Sequence, residues 1–185
     1  MMPGQVVFML EEASMKAFLE GLLPRIAPEL PCVFVAHEGK QDLEKSLPKK
    51  LRAWQVPGAR FVVVRDQDSA DCVEVKRRLA KIAMDAGKPD AVVRIACREL
   101  EAWLLGDVDG LAKALNAPKL TEIACKQKFR DPDHLGSPSR ELRQLLGSYS
   151  KTAGAREAGG HIGWAHNQST SFRHFVRAVQ RLASE

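Results

Sequence analysis

No apolar run in this 185-residue sequence approaches the ~20 residues that span a bilayer, which excludes a membrane-crossing helix on hydropathy grounds. The start, Met1-Met2-Pro3-Gly4-Gln5, has no basic segment, and Glu11 and Glu12 interrupt the apolar run that follows, so a secretory leader is not expected. The four cysteines (Cys32, Cys72, Cys97 and Cys125) form no CxxC pair, which argues against a zinc knuckle or a disulfide frame and for a reducing, cytoplasmic setting. There is no internal repeat and no low-complexity tract. His37-Glu38-Gly39-Lys40 is not a Walker loop, because it lacks the earlier glycine and the following Ser/Thr.

What is present suits one globular unit. Apolar residues make up 45% and charged residues 28%, enough for one core and ordinary solubility. The net charge of +5 is unevenly spread. Residues 1–116 carry 17 Lys+Arg against 17 Asp+Glu, and residues 117–185 carry 11 against 6, so the excess lies in the C-terminal part, where it suits a polyanion.

Phe61-Val62-Val63-Val64 reads as a strand buried on both faces, running into Asp66 and Asp68. Open α/β sheets place ligands at this carboxyl edge. Two carboxylates so close repel each other, and a hard cation such as Mg²⁺ or Mn²⁺ relieves that repulsion through oxygen ligands. The plainer alternative is a polar loop whose Asp68 or Ser69 caps the next helix.

Three more strands are expected at Gln5–Leu10, Cys32–Ala36 and Ala91–Ala96. Helices are expected from about Ser14 to Ile26, Gln41 to Trp54, Ser69 to Ala86 and Cys97 to Leu105. Pro24 and Pro48 interrupt the first two, and Val73, Leu79, Ile82 and Ala83 face inward on the third. The result is a four-stranded parallel α/β sheet with helices on both faces over residues 1–107. Residues 108–185 form a mostly helical extension packed on it. Short helices are expected at Val108–Leu115 and Thr121–Lys128, and longer ones at Ser139–Tyr149 and Ser171–Ala183. Ser150–Ser171 is a long polar loop carrying His161, His166 and Asn167.

A parallel sheet brings all its carboxyl ends to one edge. Glu11 and Glu12, Asp66 and Asp68, and Glu99 and Glu101 therefore converge there, with Lys40, Arg65 and Arg98 among them. Trp103 reads as core, His37 and His134 as turn residues, and His174 as surface. Cys97, with no histidine paired in sequence, does not read as a nucleophile.

This layout resembles the Toprim domain of topoisomerases, bacterial primases and OLD-type nucleases, with Glu11 after the first strand and Asp66-Gln67-Asp68 after the third. More narrowly, the chain resembles an uncharacterised bacterial family of small stand-alone Toprim-like proteins. The resembling stretches are Leu10-Glu11-Glu12-Ala13-Ser14-Met15, Arg65-Asp66-Gln67-Asp68-Ser69, Arg98-Glu99-Leu100-Glu101-Ala102-Trp103-Leu104-Leu105-Gly106-Asp107 and Asn167-Gln168-Ser169-Thr170-Ser171-Phe172. Glu12 stands where many Toprim domains have Gly, and Met15 or Lys16 where many have Asp, so either Glu11 or Glu12 takes the Toprim glutamate's place.

The resemblance implies Mg²⁺- or Mn²⁺-dependent phosphodiester cleavage of nucleic acid. Asp66 and Asp68 would hold the metal. Glu11 or Glu12 would be a further ligand or general base, and Glu99 or Glu101 would complete a second site. Lys40 or Arg98 would bear on the phosphate charge. It also implies an ATPase partner and a role in bacterial defence. Two other readings stand beside it: a non-catalytic metal- or nucleotide-binding subunit, and a phosphoryl-transfer receiver or phosphatase on a flavodoxin-like sheet.

Overall fold

The computed structural model describes residues 4–185; Met1-Met2-Pro3, the start of the N-terminus read above for a leader, lies outside them. The four strands are β1 (Val6–Leu10), β2 (Cys32–Ala36), β3 (Arg60–Asp66) and β4 (Val92–Ala96). They form one all-parallel sheet in the order β2-β1-β3-β4. Between them lie α1 (Ala13–Ile26), α2 (Lys40–Ala53) and α3 (Cys72–Asp85).

Side chains alternate along each strand, so each face builds its own core. Val6, Phe8, Leu10, Val62 and Val64 face α1 and the C-terminal helices. Val7, Met9, Val63, Val93 and Ile95 face Leu43, Leu47 and Leu51 of α2 and Val75, Leu79 and Ala83 of α3. The chain leaves β1 for β2 on one side, then returns past β1 to β3 on the other. With crossovers of one hand, this reversal puts α1 on one face and α2 and α3 on the other. The carboxyl ends of β1 and β3 thus flank the switch point, where such sheets open a crevice.

After β4 come α4 (Leu100–Leu105) and α5 (Val108–Ala114), then single 3-10 turns at Pro118–Ile123, Gln127–Phe129 and Pro132–His134. The helices α6 (Pro138–Leu146), α7 (Lys151–Gly159) and α8 (Thr170–Ser184) complete the chain. They share the larger core with the sheet. Trp103, fully buried, packs against Phe172 and Phe175 of α8 at ring separations of 5.4 and 5.0 Å. Its indole nitrogen donates to Ser171 Oγ at 2.8 Å.

Several expectations are corrected. Pro48 does not break α2, which runs unbroken to Ala53. Helix α3 starts at Cys72, capped by Asp71, whose side chain accepts from the Glu74 amide. Its buried stripe is Val75, Leu79 and Ala83, and Val73, two residues before Val75, therefore falls on the solvent side, 59% exposed. The Thr121–Lys128 helix is two 3-10 turns instead.

The expected loop from Ser150 contains α7. Its glycine-rich sequence reads as flexible, but the glycines serve close packing. A Cβ on Gly159 would lie 2.3 Å from the Phe18 carbonyl oxygen, and one on Gly21 would lie 2.8 Å from the Gly159 carbonyl carbon. Two backbones that meet this closely leave no room for side chains, and tertiary packing outweighs weak helix propensity. Arg25 fastens the end of α7 by donating to the carbonyls of Gly159 and Ile162, at 3.0 and 2.8 Å.

Candidate functional site

Asp66 is the last residue of β3. Alternation turns it to the same face as Val62 and Val64, toward α1, α4 and α7, and leaves it 6% exposed. Arg65 turns the other way. It is 3% exposed, ion-paired with Glu44, which also binds Arg78 at 2.8 Å, and it lies 3.7 Å from Glu11.

Glu11 follows β1 directly. Its Oε2 accepts from the Asp66 amide at 3.0 Å, so this bond spans the β1/β3 switch point. Burial raises the Glu11 pKa despite that amide, and Asp68 and Glu12 raise it further. Burial drives the Asp66 carboxyl well above its ordinary range, with the Glu11 and Glu101 charges adding to it and Lys151 opposing.

Glu12 opens α1. Its Oε1 accepts from Ser14 Oγ at 2.9 Å and from Lys151 Nζ at 2.7 Å. Ser14, where α1 was expected to begin, lies inside the helix and braces Glu12. Lys151 is the first residue of α7 and reaches the site because α7 lies against α1. Burial would lower its pKa, but Glu101, Glu12 and Asp66 surround it and raise it, so it stays a cation.

Glu99 and Glu101 do different work. Glu99 stands just ahead of α4, and its Oε2 accepts from the Ser139 amide at 2.7 Å, tying α4 to α6. Glu101, one turn-step later, is fully buried, and neither carboxylate oxygen has a hydrogen-bond partner. Burial lifts its pKa to about 7, with Lys151 opposing. Tyr149 lies beside Glu101: burial, then the Glu101 charge and a hydrogen-bonding approach to it, raise its phenol, though the two do not reach full hydrogen-bond geometry.

Asp68 sits at the rim with φ +57°, a left-handed conformation that Asp tolerates. Its amide donates to the Arg98 carbonyl at 2.9 Å, and its carboxylate pairs with Lys40 at 2.8 Å. Arg98 is half-buried and is joined to Cys97 by a cis peptide. Burial and the neighbouring Cys72 push the Cys97 thiol up to about 12, which leaves it no nucleophilic thiolate.

The edge therefore sorts its residues. Glu12, Asp66 and Glu101 lie around Lys151, with Glu11 joined to them through the Asp66 amide; Asp68 and Lys40 form the rim, and Glu99 is committed to α6. Lys151 and Tyr149 carried no signal in the sequence, because both adjoin a stretch that reads as loop. Three further expectations change. His37 is buried, with Nδ1 2.7 Å from the Leu10 carbonyl. Asn167 is buried structurally, donating to the Trp103 carbonyl and accepting from the Ser169 amide. His161 Nδ1 lies 3.0 Å from the Glu157 carbonyl.

Among the described residues no three His, Cys, Asp or Glu side chains form a closed metal-binding group. The donor chemistry nonetheless fits a hard cation. The donors are all carboxylate oxygens, and both of Glu101's are buried and unpartnered. Such a cluster, with one lysine inside it, is undercompensated, and added positive charge would stabilise it. No helix among the described residues is long and apolar enough to cross a membrane.

Residues 10–182 match the model of a domain of unknown function, DUF4276, and the chain belongs to that family. No curated protein and no solved structure matches it.

Proposed function

We propose that the protein is a Mg²⁺- or Mn²⁺-dependent phosphodiesterase of Toprim type acting on nucleic acid, in a bacterial defence setting beside an ATPase partner. The observation that carries this reading is the buried, undercompensated set of Glu11, Asp66 and Glu101 at the sheet's switch point. Asp66, Glu101 and Glu11 would hold the cation, with Asp68 at the rim. The bound ion would offset charge on the scissile phosphate and acidify a water.

The chain's own groups supply the rest. Glu11, with its Oε2 fixed on the Asp66 amide, would serve as the further ligand or as the general base toward an attacking water. Lys40, exposed at the rim and paired with Asp68, can turn to a phosphate oxygen, and Arg98, whose carbonyl accepts from the Asp68 amide, could add positive charge. The basic excess of residues 117–185 favours a polyanion.

The test is cleavage of supercoiled plasmid, linear duplex and single-stranded RNA with Mg²⁺, Mn²⁺ or EDTA, beside Asp66→Asn. Metal-dependent cutting that the variant loses supports the reading. Metal binding without cutting points to the non-catalytic subunit, and no metal binding overturns the mechanism.

A further inference from the structure

We propose that Lys151, paired with Glu12, is the site's resident cation, and that it opposes electrostatically a divalent ion held by the adjoining Asp66 and Glu101; the inference rests on the metal-dependent reading above. Three observations carry it. The Lys151 ammonium is held by Glu12 at 2.7 Å, and the charges of Glu101 and Asp66 also act on it. Glu101 is fully buried with two unpartnered oxygens, so its nearest compensation is a lysine that does not hydrogen-bond to it. Lys151 is also fixed at the start of a helix whose approach to α1 is set by Gly21 and Gly159, which keeps its side chain within reach of the site.

Without metal, a single positive charge makes this carboxylate set tolerable. A divalent ion brings the adjoining carboxylates twice the charge, and its repulsion of the nearby ammonium is strong where water is scarce. The two cations therefore exclude each other electrostatically. On metal binding the long, flexible lysine stem carries its ammonium off Glu12, and the freed cation is placed to meet a phosphate oxygen of the substrate. Tethering a cation inside the site keeps the empty site folded and sets metal affinity low, so that metal and phosphate enter together.

The test measures Mn²⁺ binding by calorimetry in the wild type, Lys151→Met and Lys151→Arg. Lys151→Met should bind Mn²⁺ at least about tenfold more tightly, because the competing charge is gone, while Lys151→Arg should bind like the wild type. Wild-type binding that Lys151→Met leaves equal or weaker overturns the inference but spares the metal site. Binding by none of the three overturns both.

A second measurement needs no variant and so does not depend on one folding. In the ¹⁵N spectrum of lysine side chains, the paired Lys151 ammonium should give a slowly exchanging signal in EDTA. That signal should move or vanish on adding Mg²⁺; if it stays unchanged at saturating Mg²⁺, Lys151 keeps its place and the competition is refuted.

Discussion

The two ends of the sheet carry charge in opposite ways. At the amino end, Arg60 and Arg181 share the Glu185 carboxylate, at 3.0 and 3.9 Å, beside an open cavity of about 560 Å³ that Lys88 also lines. These groups meet solvent, which screens them. At the carboxyl end, Asp66 and Glu101 are buried, Glu11 nearly so, and one lysine stands among them. Exposed ion pairs contribute little to stability. A buried imbalance is costly, and a chain that keeps one stores energy that a ligand can release. The proposed function accordingly draws on the carboxyl end, where the buried imbalance lies.

The sharpest way to break this contrast is Asp66→Asn. It should lower metal-dependent cleavage about 100-fold or more and abolish Mn²⁺ binding, while Arg60→Ala at the other end changes neither. Plasmid nicking and calorimetry on both variants check this.

Glu101→Gln should separate stability from function. Glu101 titrates near 7 in the folded protein and at 4.5 in its unperturbed state, so the metal-free fold binds more protons than the unfolded chain between those values. Its contribution is fully present below about 4.5 and is lost as pH rises through about 7. The metal-free wild type should therefore lose thermal stability from pH 5 to pH 8. Removing the charge with Gln should restore about 1–3 kcal/mol at pH 8 while cutting activity. Thermal melts in EDTA across that range decide it; a flat wild-type profile would mean the carboxylates are compensated.

Gly159→Ala tests whether the α1–α7 approach sets the site. The new Cβ meets the Phe18 carbonyl, so the helices must part, at a cost of about 1–3 kcal/mol. Displacing Lys151 should also alter Mn²⁺ affinity, which calorimetry reads. The smallest effect belongs to the amino end: Arg60→Ala should change stability by less than about 0.5 kcal/mol in denaturant titration.

The sequence made the sheet readable because its valine-rich runs have strand length and are bounded by turn residues, and a parallel sheet then brings the acidic residues to one edge. Asp66 was legible for that reason. What it could not show was how two acidic pairs divide. Asp66 goes inward and Asp68 to the rim because β3 ends at Asp66 and the chain then turns left-handed. Glu99 and Glu101 part because α4 begins between them, a boundary that no periodicity in a six-residue helix reveals. Lys151 was hidden for a third reason. Its helix is weak in propensity and exists because α1 accepts its glycines at backbone contact, which is a property of two distant segments together.

The central claim, that Asp66, Glu101 and Glu11 bind a divalent cation, is tested most directly by anomalous diffraction from a crystal soaked in Mn²⁺. The account predicts a manganese peak bounded by Asp66, Glu101 and Glu11, with the Lys151 side chain moved off Glu12. A map with no peak there, and Lys151 still on Glu12 at saturating Mn²⁺, would contradict it.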